Sequence, residues 1–129
     1  WGQAAFVSAL TEGLAGVVDK SILFSEVEIS PRWIFAGVDQ VNVKLGYGNE
    51  GNQVMYDYRF NNALAELSLK TSGQFQRCTI RIPVPEKYKT AAMTIDGRNV
   101  TSTIDQVNRS RYITATVSGS DHLIKVRYK

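Results

Sequence analysis

The sequence is poor in the residues that do polar chemistry in sets. Among 129 residues there is one cysteine, Cys78, and one histidine, His122. A single cysteine closes no internal disulfide, so cysteine usage leaves the redox compartment open. One histidine and one cysteine fall short of the ligands a zinc site requires. A hydrolytic triad needs a nucleophile motif beside its histidine, and no Gly-x-Ser-x-Gly pattern accompanies His122. Long apolar runs are missing as well, so no segment reads as a transmembrane span and no membrane insertion is expected. Charge of one sign is not concentrated: 15 basic and 12 acidic residues leave a net charge of +3. Lys125, Arg127 and Lys129 alternate as the solvated face of a strand, not as a phosphate track, and nucleic acid is not an expected partner. Gly46-Tyr47-Gly48 lacks the strand-to-helix setting of a phosphate loop. Asp39, Glu50 and Asp57 do not form a calcium loop. No cofactor, no metal and no catalytic residue is therefore expected within this chain.

What is present is an ordinary globular composition, 43% hydrophobic and 21% charged, of a length that fits one core. Phe6, Ala9, Leu10, Gly13, Leu14 and Val17 recur at helical spacing, which predicts a helix over roughly residues 2 to 18. No N-cap residue precedes it. The helix reads as having no beginning, as though it were the last helix of a larger protein. After Ser21 the pattern changes to strand alternation. Val27 and Ile29 alternate with Glu26 and Glu28, and Pro31 ends that strand. Strands are expected around Val41–Tyr47, Val54–Phe60, Ala63–Leu69 and Cys78–Ile82, the last broken by Pro83 and Pro85. Further strands are expected at Ala92–Ile95, Asn99–Ile104, Ile113–Val117 and His122–Tyr128. Gly48 to Asn52 reads as a hairpin loop, and Asp96-Gly97 is a strong two-residue hairpin signal. The expected fold is mainly β: an antiparallel, jelly-roll-like sandwich of about eight or nine strands preceded by one N-terminal α-helix.

Few residues are candidates for chemistry. Glu26 and Glu28 share a strand face, as paired acids on glycosides do when they flank the bond, but two acids on one strand also make a wet sheet face. Trp33, Tyr47, Tyr56, Tyr58, Phe60, Tyr88, Tyr112 and Tyr128 could in part form a platform for sugar rings. Against that, Tyr47, Tyr56, Tyr58 and Phe60 fall on the inward phase of their strands and read as core. Cys78 shares the inward phase of Ile80 and Ile82 and reads as an inert buried thiol. Asn99-Val100-Thr101 and Asn108-Arg109-Ser110 match the glycosylation sequon by pattern and read as loop or hairpin residues.

An ordered set of short motifs lies at the N-terminal end: Trp1-Gly2-Gln3-Ala4-Ala5-Phe6, Glu12-Gly13-Leu14-Ala15-Gly16-Val17, and Val27-Glu28-Ile29-Ser30-Pro31-Arg32-Trp33. It resembles the junction in six-hairpin, (α/α)6-barrel glycosidases, such as α-L-rhamnosidase-like and cellobiose-phosphorylase-like enzymes. There the last barrel helix leads through a proline turn into a C-terminal β-sandwich. The resemblance implies that residues 1–20 are the terminal helix of an upstream helical domain and residues 21–129 a C-terminal β-sandwich domain. It implies that Trp1 and Gln3, with Trp33 as a weaker candidate, line the sugar site of the intact enzyme. Glucoamylase-like members carry the general base in a W-x-x-A-E-F helix start, and the matching position here is Ala5, so the resemblance places no base on this segment.

The function expected is that of a non-catalytic C-terminal domain of a glycoside hydrolase or related carbohydrate-active enzyme, bracing the barrel. Its partner is then the upstream helical catalytic domain of the same chain, with carbohydrate as a second partner the resemblance admits. A periplasmic or secreted bacterial location is implied by the same route. The alternatives are an independent carbohydrate-binding module and a structural or protein-interaction sandwich.

Overall fold

The computed structural model describes residues 14–19, 26–47 and 52–129. Among these, eleven strands form two sheets around one core: β1 (Val17–Asp19), β2 (Glu26–Ile29), β3 (Gln40–Tyr47), β4 (Asn52–Asn61), β5 (Glu66–Gly73), β6 (Arg77–Val84), β7 (Ala91–Ile95), β8 (Arg98–Asn99), β9 (Thr103–Val107), β10 (Ser110–Ser118) and β11 (His122–Tyr128). The first sheet has the order β1-β2-β6-β10-β9 and the second β3-β4-β5-β11-β7-β8. Every pairing is antiparallel except β2 with β6, where Val27 lies opposite Cys78 and Ile29 opposite Ile80. The fold is a mainly β sandwich.

Alternation explains the layers, because successive side chains on a strand point to opposite faces. Val27, Ile29, Cys78, Ile80, Ile82, Val84 and Ile113 face inward from the first sheet. Val54, Tyr56, Tyr58, Phe60, Leu67, Leu69, Ile124 and Val126 meet them from the second. At one end of the core the Tyr128 ring stacks on Tyr88 at 4.8 Å and meets Phe60 edge-on at 6.3 Å. The Tyr128 hydroxyl crosses between the sheets to donate to the Pro83 carbonyl at 2.8 Å.

Four turns account for much of the connectivity. Asp96 and Gly97 both take positive φ (53° and 80°), as the mirror-image hairpin turn between β7 and β8 requires. Asn108, with φ 56°, opens the tight turn joining β9 to β10. Ala65 takes φ 50° where β4 turns into β5. In the β10–β11 turn, His122 ties two hairpins together. Its Nδ1 lies 2.8 Å from Asp96 Oδ2 and its Nε2 2.8 Å from the Ser118 carbonyl. A carbonyl only accepts, so Nε2 must carry a proton, and the carboxylate favours a proton on Nδ1 too. Burial opposes that charge most strongly, but the Asp96 and Ser118 hydrogen bonds outweigh it and raise the His122 pKa above 6.5.

The structure corrects the sequence reading in three places. The helix expected to reach residue 18 does not do so: Leu14 and Ala15 turn, and Val17–Asp19 pairs with β2. Gly16 at φ +67° and the β-branched pair Val17-Val18 favour this change of backbone. The earlier part of that helix, residues 2–13, lies outside the described residues, as do Gly48 to Gly51 of the expected hairpin loop. Second, Pro83 does not break β6. β2 pairs with β6 only as far as Ile80, so Pro83 sits where that side of the strand is a free edge and a missing N–H costs no ladder bond. Third, the strand expected over Asn99–Ile104 is two strands in different sheets. β8 pairs with β7, and the chain then crosses to let β9 pair with β10.

Candidate functional site

Two features of the described structure bear on function: a junction that fastens the N-terminal segment to the sandwich, and a groove beside it.

The junction is built on backbone. Ser30 N–H donates to the Gly16 carbonyl at 2.7 Å and Arg32 N–H to the Leu14 carbonyl at 2.8 Å. A Cβ on Gly16 would stand 1.8 Å from the Ser30 carbonyl oxygen, so only glycine allows this approach. Tyr56, from β4, supports it from beneath. Its hydroxyl donates to the Ala15 carbonyl and accepts from the Trp33 indole N–H, both at 2.7 Å. Burial pushes the Tyr56 phenol well above its usual range, so the hydroxyl keeps the proton this relay needs.

Trp33 also opens a 3-10 turn, Trp33–Ala36, closed by Gly37 in the left-handed conformation at φ 69°. Trp33 and Ile34 pack against the core, which leaves Phe35 pointing away from it, 60% exposed. The turn is followed by Asp39, whose carbonyl accepts from Phe60 N–H at 2.8 Å. A cleft of about 310 Å³ opens here. Ile34, Phe35 and Val38 line one wall, Pro85 and Lys87 the opposite wall, and Asp39, Phe60 and Asn62 the floor and end. Asp39, Phe60 and Asn62 are shared with a second, more polar cleft of about 610 Å³ that continues past Gln40, Arg59, Glu66 and Ser68.

Each wall is held in place. Arg111 donates to the carbonyls of Lys89, Pro85 and Tyr88 and so fixes the 85–89 loop. Asn61 Oδ1 accepts from Leu64 N–H at 3.1 Å and shapes the β4–β5 turn that carries Asn62. Glu66 is engaged by Arg127 at 3.3 Å. The side chains of Asp39 and Asn62 make no hydrogen bond to a described residue. The Asp39 charge is felt by Tyr58, whose phenol is raised first by burial and then by this carboxylate. The groove therefore offers a rigid aromatic face beside uncommitted hydrogen-bonding groups.

The residues singled out by sequence fall elsewhere. Trp1 and Gln3 lie outside the described residues. Trp33 is half-buried, with its indole N–H committed to Tyr56. The supposed aromatic platform does not exist as a surface: Tyr56, Tyr58, Phe60, Tyr112 and Tyr128 are buried, as the inward phase of three of them suggested. Tyr112 is covered on the outer face by the Arg81 guanidinium, 4.1 Å from the ring centre. Glu26 and Glu28 lie on the outer face of the first sheet, Glu28 4.0 Å from Arg81. Cys78 is 1% exposed, and burial pushes its thiol up to about 12. Among the described residues no group of three or more His, Cys, Asp or Glu gathers into a metal-binding cluster, and no helix is long and apolar enough to cross a membrane. Phe35 was missed, since an aromatic in a short non-periodic turn carries no pattern signal.

This architecture defines a class, the two-sheet β-sandwich, and solved structures show where it recurs. The chain is similar to part of an α-L-rhamnosidase from Dictyoglumus thermophilum, with a TM-score of 0.65 at 11% identity over 95% of this chain. It is also similar to part of a β-L-arabinofuranosidase from Geobacillus Stearothermophilus T6 (TM-score 0.53, 13% identity, 99% of this chain) and of a further glycoside hydrolase (TM-score 0.55, 9% identity, 80% of this chain). The chain spans only 13%, 18% and 16% of those three chains. No family model and no curated protein matches the sequence. The fold is thus one that larger glycoside hydrolase chains carry as a minor segment.

Proposed function

We propose that this chain is a non-catalytic β-sandwich domain of a glycoside hydrolase or related carbohydrate-active enzyme, and that it braces an upstream (α/α)6 catalytic barrel in the same polypeptide. The observation that carries this reading is the fold match over 95% of this chain to 13% of a rhamnosidase chain. The junction supports it. Leu14, Ala15 and Gly16 are locked to the sandwich by backbone hydrogen bonds and by Tyr56, so motion of whatever precedes them is transmitted to a rigid body, not absorbed by a linker. On this reading residues before Leu14 continue the last barrel helix, Trp1 and Gln3 face the sugar site, and the catalytic acid and base lie upstream.

The test is turnover. The 129-residue chain is assayed against nitrophenyl glycosides of rhamnose, arabinofuranose and glucose. The expected result is no release of nitrophenol above buffer. Hydrolysis at an ordinary enzymatic rate, about 1 per second or more, would refute the non-catalytic assignment.

A further inference from the structure

We propose that the groove between the 3-10 turn and the β4–β5 turn is a carbohydrate-binding subsite, with Phe35 as its stacking platform. The sugar class of the ligand rests on the carbohydrate-active setting proposed above; the site itself rests on the groove.

The first argument is exposure. Phe35 is 60% exposed, the most exposed of the large apolar side chains among the described residues, while its neighbours Trp33 and Ile34 are packed on the core. The turn that presents it is tied at both ends: Phe35 N–H donates to Arg32 at 3.1 Å and Val38 N–H to Trp33 at 3.2 Å. A ring held this way loses little conformational freedom on contact with a ligand, which is what makes a pre-formed aromatic anchor effective.

The second argument is chemical pairing. A pyranose or furanose ring has an apolar face of C–H groups and an equatorial rim of hydroxyls. It needs an aromatic surface and, beside it, acceptors and donors for vicinal hydroxyls. Asp39 supplies a carboxylate acceptor, Asn62 an amide with both roles, and Lys87 a cationic donor, all lining the same cleft as Phe35. Asp39 and Asn62 have no side-chain hydrogen bond among the described residues to break. The mixture of a charged acceptor and a charged donor across a short cleft suits a neutral polyhydroxy ligand better than an ion of either sign. The continuation past Gln40, Arg59 and Ser68 gives room for further sugar units, so the geometry favours an oligosaccharide over a monosaccharide.

The experiment is an amide-shift NMR titration of the whole chain with methyl α-L-rhamnoside, methyl L-arabinofuranoside, methyl glucoside and gluco-oligosaccharides of two to four units, up to about 10 mM. At least one probe is expected to give saturable shifts confined to residues 34–39, 60–63 and 85–88. Phe35→Ala is expected to weaken that binding about tenfold or more. Because the ring is exposed, the thermal midpoint should stay unchanged. Asp39→Asn gives a second, independent loss that leaves the aromatic in place. The proposal is overturned if no probe shifts any residue. It is equally overturned if binding occurs but is indifferent to both substitutions. Neither outcome touches the bracing role, which turnover and domain coupling test separately.

Discussion

Gly16→Ala isolates the contact on which the junction depends. Two costs add. An alanine at φ +67° loses about 1–2 kcal/mol to its left-handed backbone. Its Cβ would also stand 1.8 Å from the Ser30 carbonyl oxygen and 2.3 Å from the Ser30 carbonyl carbon, both rigid backbone atoms. The strands must therefore separate, which breaks the Ser30–Gly16 and Arg32–Leu14 hydrogen bonds, at about 1–2 kcal/mol each in a buried setting. The total is about 3–6 kcal/mol, a large share of a typical domain's stability. Gly97→Ala is the control. Gly97 has φ +80°, but nothing lies within 4 Å of where a methyl group would stand, so it carries only the conformational cost. Urea unfolding of both variants should show Gly16→Ala less stable than Gly97→Ala by about 2–4 kcal/mol. Equal losses in the two variants would show that residues 14–16 are not seated against Ser30.

Other polar contacts carry expectations of their own. Tyr56→Phe removes the acceptor for Trp33 and the donor to Ala15, and urea unfolding should show a loss of about 1–3 kcal/mol. The Asp96–His122 pair makes stability depend on pH at both ends. His122 is raised above 6.5, so its contribution is complete below that value and fades as pH rises through its folded pKa. Asp96 is lowered below 3.8, chiefly by the Leu123 N–H and then by His122, so its contribution holds above 3.8 and fades as pH falls through its folded pKa. Asp96→Ala should flatten both limbs in a pH series of denaturation curves, and NMR titration of the His122 ring should return a pKa above 6.5 in the native chain only. Cys78, pushed up to about 12 by burial, should resist iodoacetamide at neutral pH until the chain is unfolded; rapid native labelling would contradict its place in the core.

Alternation made most strands legible. Tyr56, Tyr58 and Phe60 on one phase of β4 and Cys78, Ile80 and Ile82 on one phase of β6 are buried as their spacing implies. The Asp96-Gly97 turn was legible because its backbone admits few other residues. What stayed hidden depends on pairing, which periodicity does not encode. Pro83 was read as a stop because the end of β2 alongside β6 is a tertiary fact. Asn99 to Ile104 was read as one strand because a crossing between sheets leaves no local mark. The helical spacing up to Val17 was outweighed by Gly16 and the partner strand β2. At the site, the sequence offered many aromatics but not their exposure, so the inward-facing tyrosines drew attention and Phe35 did not.

The central claim is that the sandwich acts as a brace, and its most direct test is calorimetry of the full-length gene product with and without Gly16→Ala. The account predicts one coupled unfolding transition that includes the catalytic domain, and a lower midpoint for both loss of structure and loss of glycosidase activity in the variant. Two independent transitions, with the catalytic one and its activity unmoved by Gly16→Ala, would contradict it.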